Sequence, residues 1–236
     1  MTAMGAAAYL LDLPVTDYGR AHRLQLSAVA ARHHGSLDGD LVMMLEHAPV
    51  LTLGRRGGRD NLLVPAQWLQ ARDIEVVPIE RGGDITYHGP GQLVVYILMD
   101  IASKGLGVTD FVDRLETAMA RTAGRWGVSA RGDHTHRGAW VGQRKLGSVG
   151  ITVRRGITFH GLAFNVGVDL APFRWIHPCG LKSCQMTSLE KEAGRQIDMG
   201  AVRGQMAQHL GDLLELALTP IGMEELVEKL GDDYED

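Results

Sequence analysis

The sequence is poor in cysteine and in aromatic residues. Cys179 and Cys184 are the only cysteines among its 236 residues. Two cysteines cannot form a disulfide framework, and we therefore expect a reducing compartment, the cytoplasm. Aromatic residues make up 6% of the chain and the net charge is −4. Both values argue against nucleic acid as a partner, because its binding proteins need basic surfaces and, for single strands, aromatic stacking platforms.

Long apolar runs and nucleotide-binding motifs are missing as well. No run approaches the roughly 20 apolar residues of a membrane-spanning helix. The first basic residue is Arg20, whereas a secretory signal begins with a basic segment. We expect neither a signal nor a membrane segment. The patterns GxGxxG and GxxxxGK[ST] do not occur, so a nucleotide is not implied.

The composition, 45% hydrophobic and 22% charged, is that of an ordinary globular protein. Apolar spacing predicts helices at residues 17–33, 109–126 and 201–218. Short strand-like runs follow one another between them, which favours an α+β fold with a mixed sheet and packed helices. We expect one catalytic domain over residues 1–236, with its core at about 9–218. The acidic end, residues 231–236, is expected to fray.

Residues 81–91, RGGDITYHGPG, hold four glycines and a proline, which predicts a loop with unusual backbone angles. Paired glycines let backbone N–H groups approach a ligand closely. Taken alone, Gly82 and Gly83 are better explained by a tight turn. The polar side chains of Thr86, Tyr87 and His88 follow directly, and this combination favours a ligand site.

Two later segments join glycine with polar residues. The first, KLGSVGI, begins at Lys145, which is interpreted either as a solvated strand-end lysine or as a buried one. The second, residues 158–161, repeats the Thr-aromatic-His-Gly order of residues 86–89. The two repeats could line one cavity or arise by coincidence. A histidine in a strand is more often a hydrogen-bonded structural residue, and that interpretation stays open for His88 and His160.

Cys179 lies between a proline and a glycine, a setting that indicates a turn with an accessible thiol. Most free cysteines are buried and inert. A reactive one needs a cation or a helix N-terminus nearby to favour the thiolate. Cys184 is expected to be structural. His177 with the two cysteines lacks a fourth ligand at zinc-like spacing, so no metal site is expected.

Taken together, these segments resemble the lipoyl(octanoyl) transferase family over roughly residues 9–218. The matching stretches are LEHAPVLTLGRR at 45–56, RGGDITYHGPGQLV at 81–94, KLGSVGITVRRGITFHGLAFNV at 145–166, and PCGL at 178–181 followed by TSL at 187–189.

The resemblance implies a fold related to the catalytic module of biotin and lipoate protein ligases. It implies Cys179 as the acyl-thioester nucleophile, and Lys145 as the partner that lowers the thiol pKa and relays a proton. It implies no cofactor and no metal. The substrate-binding residues that it implies are Arg81, Gly82, Gly83, Asp84, Ile85, Thr86, Tyr87, His88, Ser148, Val149, Gly150, Gly161, Leu162 and Ala163.

The implied activity moves octanoyl from octanoyl-acyl carrier protein to a lysine of a lipoyl domain, the first step of endogenous protein lipoylation. The implied acceptors are the lipoyl domains of 2-oxoacid dehydrogenase subunits and the glycine cleavage H protein. Exchanging a thioester for an amide is downhill, so ATP is not needed. Val149, Leu162, Ala163 and Phe164 are expected to line an apolar slot for the acyl chain. Backbone N–H groups near Cys179 and Gly180, or near Gly82 and Gly83, are expected to hold the oxyanion.

Two other interpretations remain. An ATP-dependent lipoate or biotin protein ligase would share the fold, but it activates the acid as an adenylate and does not need Cys179. A non-catalytic module that binds a lipoyl domain or a carrier protein would not need Cys179, Lys145 and His88 together.

Overall fold

The computed structural model describes residues 6–178 and 184–234. Its strands are β1 (Ala6–Thr16), β2 (Asp40–His47), β3 (Val50–Leu53), β4 (Glu75–Pro78), β5 (Ile85–His88), β6 (Gln92–Leu98), β7 (Arg131–Gly132), β8 (Gly138–Val141), β9 (Arg144–Arg154), β10 (Ile157–Asn165), β11 (Gln185–Met186) and β12 (Leu216–Pro220). Its α-helices are α1 (Tyr18–His34), α2 (Ala66–Gln70), α3 (Val108–Gly124), α4 (Leu189–Ala193), α5 (Met199–Leu214) and α6 (Met223–Leu230).

Within these ranges, nine strands form one mixed sheet. Eight of them follow the order β12-β1-β2-β6-β10-β9-β8-β7, and β11 pairs with β9 near its beginning. β1 runs parallel to β12 and to β2, and β11 runs parallel to β9, while the other pairs are antiparallel. The predicted mixed sheet with packed helices is thus confirmed.

The central strands β6 and β10 are buried along their whole length because helices cover both faces of the sheet. Successive side chains of a strand point to opposite faces. In β2, Val42 and Met44 join the core cluster that contains α3 and α5. Met43 and Leu45, which alternate with them, join the cluster that contains α1 and α6. Two cores therefore lie back to back across one sheet.

The ends of the long helices show how local chemistry sets them. The Asp17 side chain accepts a hydrogen bond from the Arg20 N–H at the start of α1, and Gly35 ends the helix in the left-handed conformation. Helix α3 begins after Gly107 without a side-chain cap. The predicted start near Thr109 is therefore correct within two residues. The prediction that Thr109 caps this helix is wrong.

A second sheet, in the order β4-β3-β5, carries part of the 81–91 segment. The predicted loop is wrong for Ile85–His88, which pairs antiparallel with Val50–Leu53. The glycines on both sides of this strand masked its short alternating pattern. The alternation directs Ile85 and Tyr87 into a small apolar cluster, and it leaves Thr86 and His88 on the opposite face.

The C-terminal prediction needs two corrections. The predicted helix at 201–218 ends at Leu214, and β12 follows as a strand parallel to β1. The helical spacing of leucines continues through residue 218, which hid this strand. The expected fraying of the acidic end is wrong for residues 231–234, because residues 231–233 form a 3-10 turn and Tyr234 packs against the core. Residues 235 and 236 lie outside the described part. No helix in the described ranges is both long and apolar enough to cross a membrane.

Candidate active site

Small side chains on two neighbouring strands create a cavity on the α1 side of the sheet. Gly150 of β9 pairs with Gly161 of β10, and Ser148 pairs with Ala163. These four residues line the cavity floor together with Tyr96 of β6. A β-carbon at position 161 would collide with the Val95 carbonyl oxygen, so β6 and β10 approach closely only because this residue is glycine.

The loop at residues 81–83 forms one wall of the cavity and is held at several points. The Gly82 N–H donates to the Ile151 carbonyl at 3.0 Å, and Arg81 donates to the Thr52 carbonyl at 3.0 Å. The N–H groups of Arg55 and Arg56 donate to the carbonyls of residues 81 and 83, each at 3.0 Å. The loop is thereby fixed between the small sheet and β9.

Ten of the fourteen residues that the family resemblance assigns to substrate binding line this one cavity. They are Arg81, Gly83, Thr86, His88, Ser148, Val149, Gly150, Gly161, Leu162 and Ala163.

The other four lie behind the wall. Gly82 contacts β9 through its backbone. Asp84 accepts from the Asn61 amide at 2.7 Å and from the Ile85 N–H at 2.6 Å, which fixes the start of β5. Ile85 and Tyr87 pack in the small apolar cluster. The expectation that Phe164 lines the acyl slot is wrong, because strand alternation buries it in the core beside α3.

Sequence reasoning missed three cavity residues: Tyr18, Val94 and Tyr96. Tyr18 opens a helix and the other two belong to an apolar strand, so each had an ordinary core interpretation. His160 also lines the cavity. Its position agrees with the first of the two interpretations of the repeated Thr-aromatic-His-Gly motif, in which both repeats line one cavity.

Three buried histidines around the cavity favour the neutral state. Burial lowers the pKa of His47 to about 4. Burial, with the neighbouring His22, lowers the pKa of His160 to about 3. Burial, with His47 nearby, holds the pKa of His88 well below 6.5. Desolvation disfavours the charged imidazolium in each case.

The partners of His47 define which ring nitrogen carries the proton. Its Nδ1 lies 2.9 Å from the Thr16 carbonyl, which can only accept, so Nδ1 donates. Its Nε2 then accepts from the Tyr96 hydroxyl at 2.6 Å. Burial also raises the Tyr96 pKa, so this hydroxyl keeps its proton and can donate. The pair fixes Tyr96 at the cavity floor.

A buried hydrogen-bond chain links the cavity to the strand that carries Lys145. Arg81 donates to the Thr52 hydroxyl at 2.9 Å, which lies 3.4 Å from Nε2 of His88. Nδ1 of His88 lies 2.7 Å from the Gln92 oxygen, and the Gln92 amide donates to the Asn165 oxygen at 2.9 Å.

The Asn165 amide ends this chain on the Thr187 carbonyl at 2.9 Å. The Thr187 N–H in turn donates to the Lys145 carbonyl at 2.9 Å. Buried polar groups rarely lack partners, and here they couple β5, β6, β10 and the chain after β11 in one fixed arrangement.

Lys145 is buried, with 2% of its surface exposed, which excludes the interpretation as a solvated strand-end residue. Its Nζ donates to the Arg137 carbonyl at 2.8 Å and lies 5.1 Å from the centre of the Trp140 ring. It precedes Ser148 by three residues of the same strand, roughly 10 Å. A lysine whose stem is buried can hold its ammonium at a fixed position.

Cys179 and Gly180 lie outside the described residues, but the chain on both sides is anchored. Before them, the His177 N–H donates to the Asn61 carbonyl at 2.8 Å. After them, β11 pairs with β9 so that Met186 is opposite Lys145. Pro178 and Cys184 line a common cavity with Arg144 and Met186.

Comparisons with known proteins show the family of this chain. A family model described as the lipoyl protein ligase A/B catalytic domain matches residues 17–211. An octanoyltransferase from Desulfotalea psychrophila is 44% identical over 207 residues, which cover 87% of this chain and 93% of that protein.

Two solved structures show the fold. A bi-partite lipoate protein ligase from Thermoplasma acidophilum has a TM-score of 0.68 and 17% identity, covering 96% of this chain and 91% of that one. A biotin protein ligase from Aquifex aeolicus has a TM-score of 0.50 and 12% identity, covering 87% and 70%. Both are similar in fold at identities too low to carry function.

The depressed histidine pKa values predict how stability depends on pH. In the unfolded chain, histidine binds a proton below pH 6.5, its ordinary pKa. In the folded protein, His47 stays neutral down to about pH 4. The free energy of unfolding should therefore fall as the pH falls through this window, by up to about 1.4 kcal/mol per pH unit for each such histidine. His47→Gln, whose amide can donate to Thr16 and accept from Tyr96, should reduce this slope in urea titrations.

The control variant His33→Gln removes an exposed histidine and should keep the wild-type slope. Equal slopes in wild type and His47→Gln would contradict the assignment.

Proposed function

The chain belongs to the lipoyl protein ligase A/B catalytic-domain family and is a lipoyl(octanoyl) transferase. From this premise we propose that it transfers octanoyl from octanoyl-acyl carrier protein to a lysine of a lipoyl domain. We propose that the transfer passes through a thioester on Cys179. The acceptors we propose are the lipoyl domains of 2-oxoacid dehydrogenase subunits and the glycine cleavage H protein. The observation that carries the proposal is the burial of the Lys145 side chain. Lys145 lies on β9, and β11, which follows Cys179 in the chain, pairs with this strand.

In the first step, the Cys179 thiolate attacks the carbonyl carbon of the octanoyl thioester. A new C–S bond forms, the C–S bond to the carrier breaks, and the carrier leaves as a thiolate that takes up the proton that Cys179 gave up on ionising. In the second step, the neutral amine of the acceptor lysine attacks the enzyme thioester. The C–N bond forms, the C–S bond to Cys179 breaks, and the amine proton is transferred to the departing thiolate. Dividing the transfer in this way replaces one difficult step by two easier ones.

Lys145 serves both steps as a fixed cation. A neighbouring positive charge favours the thiolate over the thiol and so lowers the thiol pKa. Three constraints support this role: the hydrogen bond from Nζ to the Arg137 carbonyl, the Trp140 ring, and the pairing of β9 with β11. We propose that Lys145 also relays the proton between the attacking amine and the sulfur.

The cavity fits an unbranched acyl chain. Val94 and Ala163 provide apolar surface on the α1 side of the sheet, and the glycines at 150 and 161 leave the floor open. Thr86 and His88 supply polar groups on the opposite wall. The Gly82 N–H is engaged by the Ile151 carbonyl, so it is not the oxyanion donor. We therefore propose that role for the Gly83 N–H or for backbone N–H groups near Cys179 and Gly180.

Acyl carrier proteins are acidic, and this chain is itself net negative, so docking requires a local basic surface. Arg55 and Arg56 are exposed, and their backbone bonds tie them to the 81–83 loop. Their position beside the cavity wall supports them as the docking surface for the donor.

The first prediction tests the nucleophile. Wild-type protein incubated with octanoyl-acyl carrier protein and no ATP should gain one octanoyl group by intact mass. Cys179→Ser should gain no thioester adduct, whereas Cys184→Ser should gain it as the wild type does. The reverse pattern would assign the nucleophile to Cys184. A requirement for ATP and free octanoate would point instead to a ligase.

The second prediction tests Lys145. Lys145→Met keeps most of the buried volume and removes the charge. It should lower octanoyl transfer by at least about 100-fold, the usual scale for a lost proton-transfer group. In a Cys184→Ser background, alkylation of Cys179 at neutral pH should also slow.

The matched control is Lys191→Met, which removes an exposed lysine that lines the cavity beside Pro178 and Cys184. Its alkylation and transfer rates should stay near those of the wild type. Unchanged alkylation in Lys145→Met would leave proton relay as the only role, and unchanged transfer would remove Lys145 from the mechanism.

The third prediction tests docking. Arg55 also donates to the Thr152 hydroxyl at 2.8 Å, so the cleaner variant is Arg56→Glu. It should raise the apparent KM for octanoyl-acyl carrier protein and change transfer from a small octanoyl thioester little, because complementary charge acts mainly on encounter. Salt should raise the wild-type KM in the same way. Arg121→Glu, on α3 across the sheet, is the control of equal charge. An equal loss with both donors would show that Arg56 shapes the cavity instead.

A further inference from the structure

Three potential metal ligands meet beside the cavity, each from a different element. His22 lies on α1, Glu80 follows β4, and His160 lies on β10. Nε2 of His22 is 3.1 Å from Oε2 of Glu80, and Nε2 of His160 is 3.9 Å from the same oxygen. All three donor atoms lie within 4.8 Å of one another.

His160 has two features that its fold position does not explain. Its backbone is in the left-handed region, with φ at 59°, which costs free energy for any residue except glycine. Its side chain is 2% exposed, yet among the described residues its Nε2 has no hydrogen-bond partner. A buried polar atom without a partner is costly, and here it points towards the Glu80 carboxylate.

The donor set fits a divalent transition metal. Zn²⁺ binds imidazole nitrogen and carboxylate oxygen at about 2.0–2.2 Å, so two tetrahedral ligands lie about 3.4 Å apart. The separations of 3.1 and 3.9 Å bracket that value. Two histidines and one carboxylate are also a common protein set for Zn²⁺ that leaves one coordination position open.

We propose that His22, Glu80 and His160 form a binding site for one divalent transition-metal ion of the Zn²⁺ class. These residues are far apart in sequence, with 58 positions between His22 and Glu80 in numbering, so ligand spacing in the sequence gave no sign of them. His22 and Glu80 are partly exposed, with 22% and 34% of their side chains accessible, which leaves an entry path from solvent.

Charge both supports and limits the site. The guanidinium groups of Arg55 and Arg81 lie near His160, and they oppose any cation there. The Glu80 carboxylate offsets part of that repulsion, and the expected affinity is therefore moderate for such a donor set.

Metal binding would connect α1, β10 and the residue that immediately precedes the 81–83 loop. A metal ion there holds the start of that loop against the helix and the sheet. None of the three ligands is assigned a step in the proposed acyl chemistry, although His160 lines the cavity.

The test measures Zn²⁺ and Co²⁺ binding by calorimetry and native mass spectrometry. One ion per chain is expected for the wild type. His22→Ala and Glu80→Gln should each weaken the affinity by at least about tenfold while keeping the wild-type circular dichroism spectrum. Both positions are partly exposed, so these variants avoid the buried His160. The matched control is His34→Ala, which removes a histidine that also faces a carboxylate, that of Asp233 at 3.2 Å, but lacks a third ligand.

The cysteines need a separate control because thiolates also bind these metals. Cys179→Ser should retain the ion, and bound Co²⁺ should show ligand-field bands without thiolate charge-transfer absorption. Absence of stoichiometric binding would overturn the proposal. So would binding that survives both His22→Ala and Glu80→Gln, or binding that is lost in Cys179→Ser.

Discussion

A sheet covered by helices on both faces has no room for a ligand unless side-chain volume is removed from it. In this protein the volume is removed at two cross-strand pairs, Gly150 with Gly161 and Ser148 with Ala163. Tyr18 of α1 and the 81–83 loop lie above them, so the missing side chains leave a cavity between these elements. The polar groups of the cavity wall lie outside the main sheet and belong to the small sheet and to the 81–83 loop. The separation keeps the apolar floor and the polar wall on different structural layers.

The polar wall depends on burial as much as on contact. His88, Gln92 and Asn165 are buried and joined end to end. Each would be costly without its neighbour, so the three residues hold one another in a single arrangement. That arrangement extends to the backbone beside Lys145, where β11 pairs with β9. A change in the cavity wall is therefore transmitted to the position of Lys145 through hydrogen bonds and not only through packing.

The sequence predicted the elements with strong periodicity and the segments with chemistry. The mixed sheet, α1 and the segment at 145–151 could be predicted because apolar period and glycine spacing are local signals. Ile85–His88 was missed as a strand, since glycines on both sides outweigh four residues of alternation. β12 was missed because its leucines continue the helical spacing of α5. Tyr18 reaches the cavity because α1 packs on the sheet, and Tyr96 because β6 pairs with β10. These contacts join distant parts of the chain, which no local pattern records. The burial of Lys145 had two equal interpretations until its partners, Arg137 and Trp140, were located.

The glycine floor makes the cavity adjustable in one direction only. At position 161 the neighbouring backbone already touches the space that a β-carbon would need, and no residue is smaller than glycine. Any substitution of Gly150 or Gly161 therefore adds atoms where neighbouring backbone already lies and cannot enlarge the cavity. Under the proposed placement of the acyl chain in this cavity, single mutations at these glycines favour shorter chains. Longer chains would require smaller side chains elsewhere in the lining, at residues such as Val94 and Tyr96, which also belong to the core. At the two glycines, the backbone itself sets the upper limit of the cavity depth.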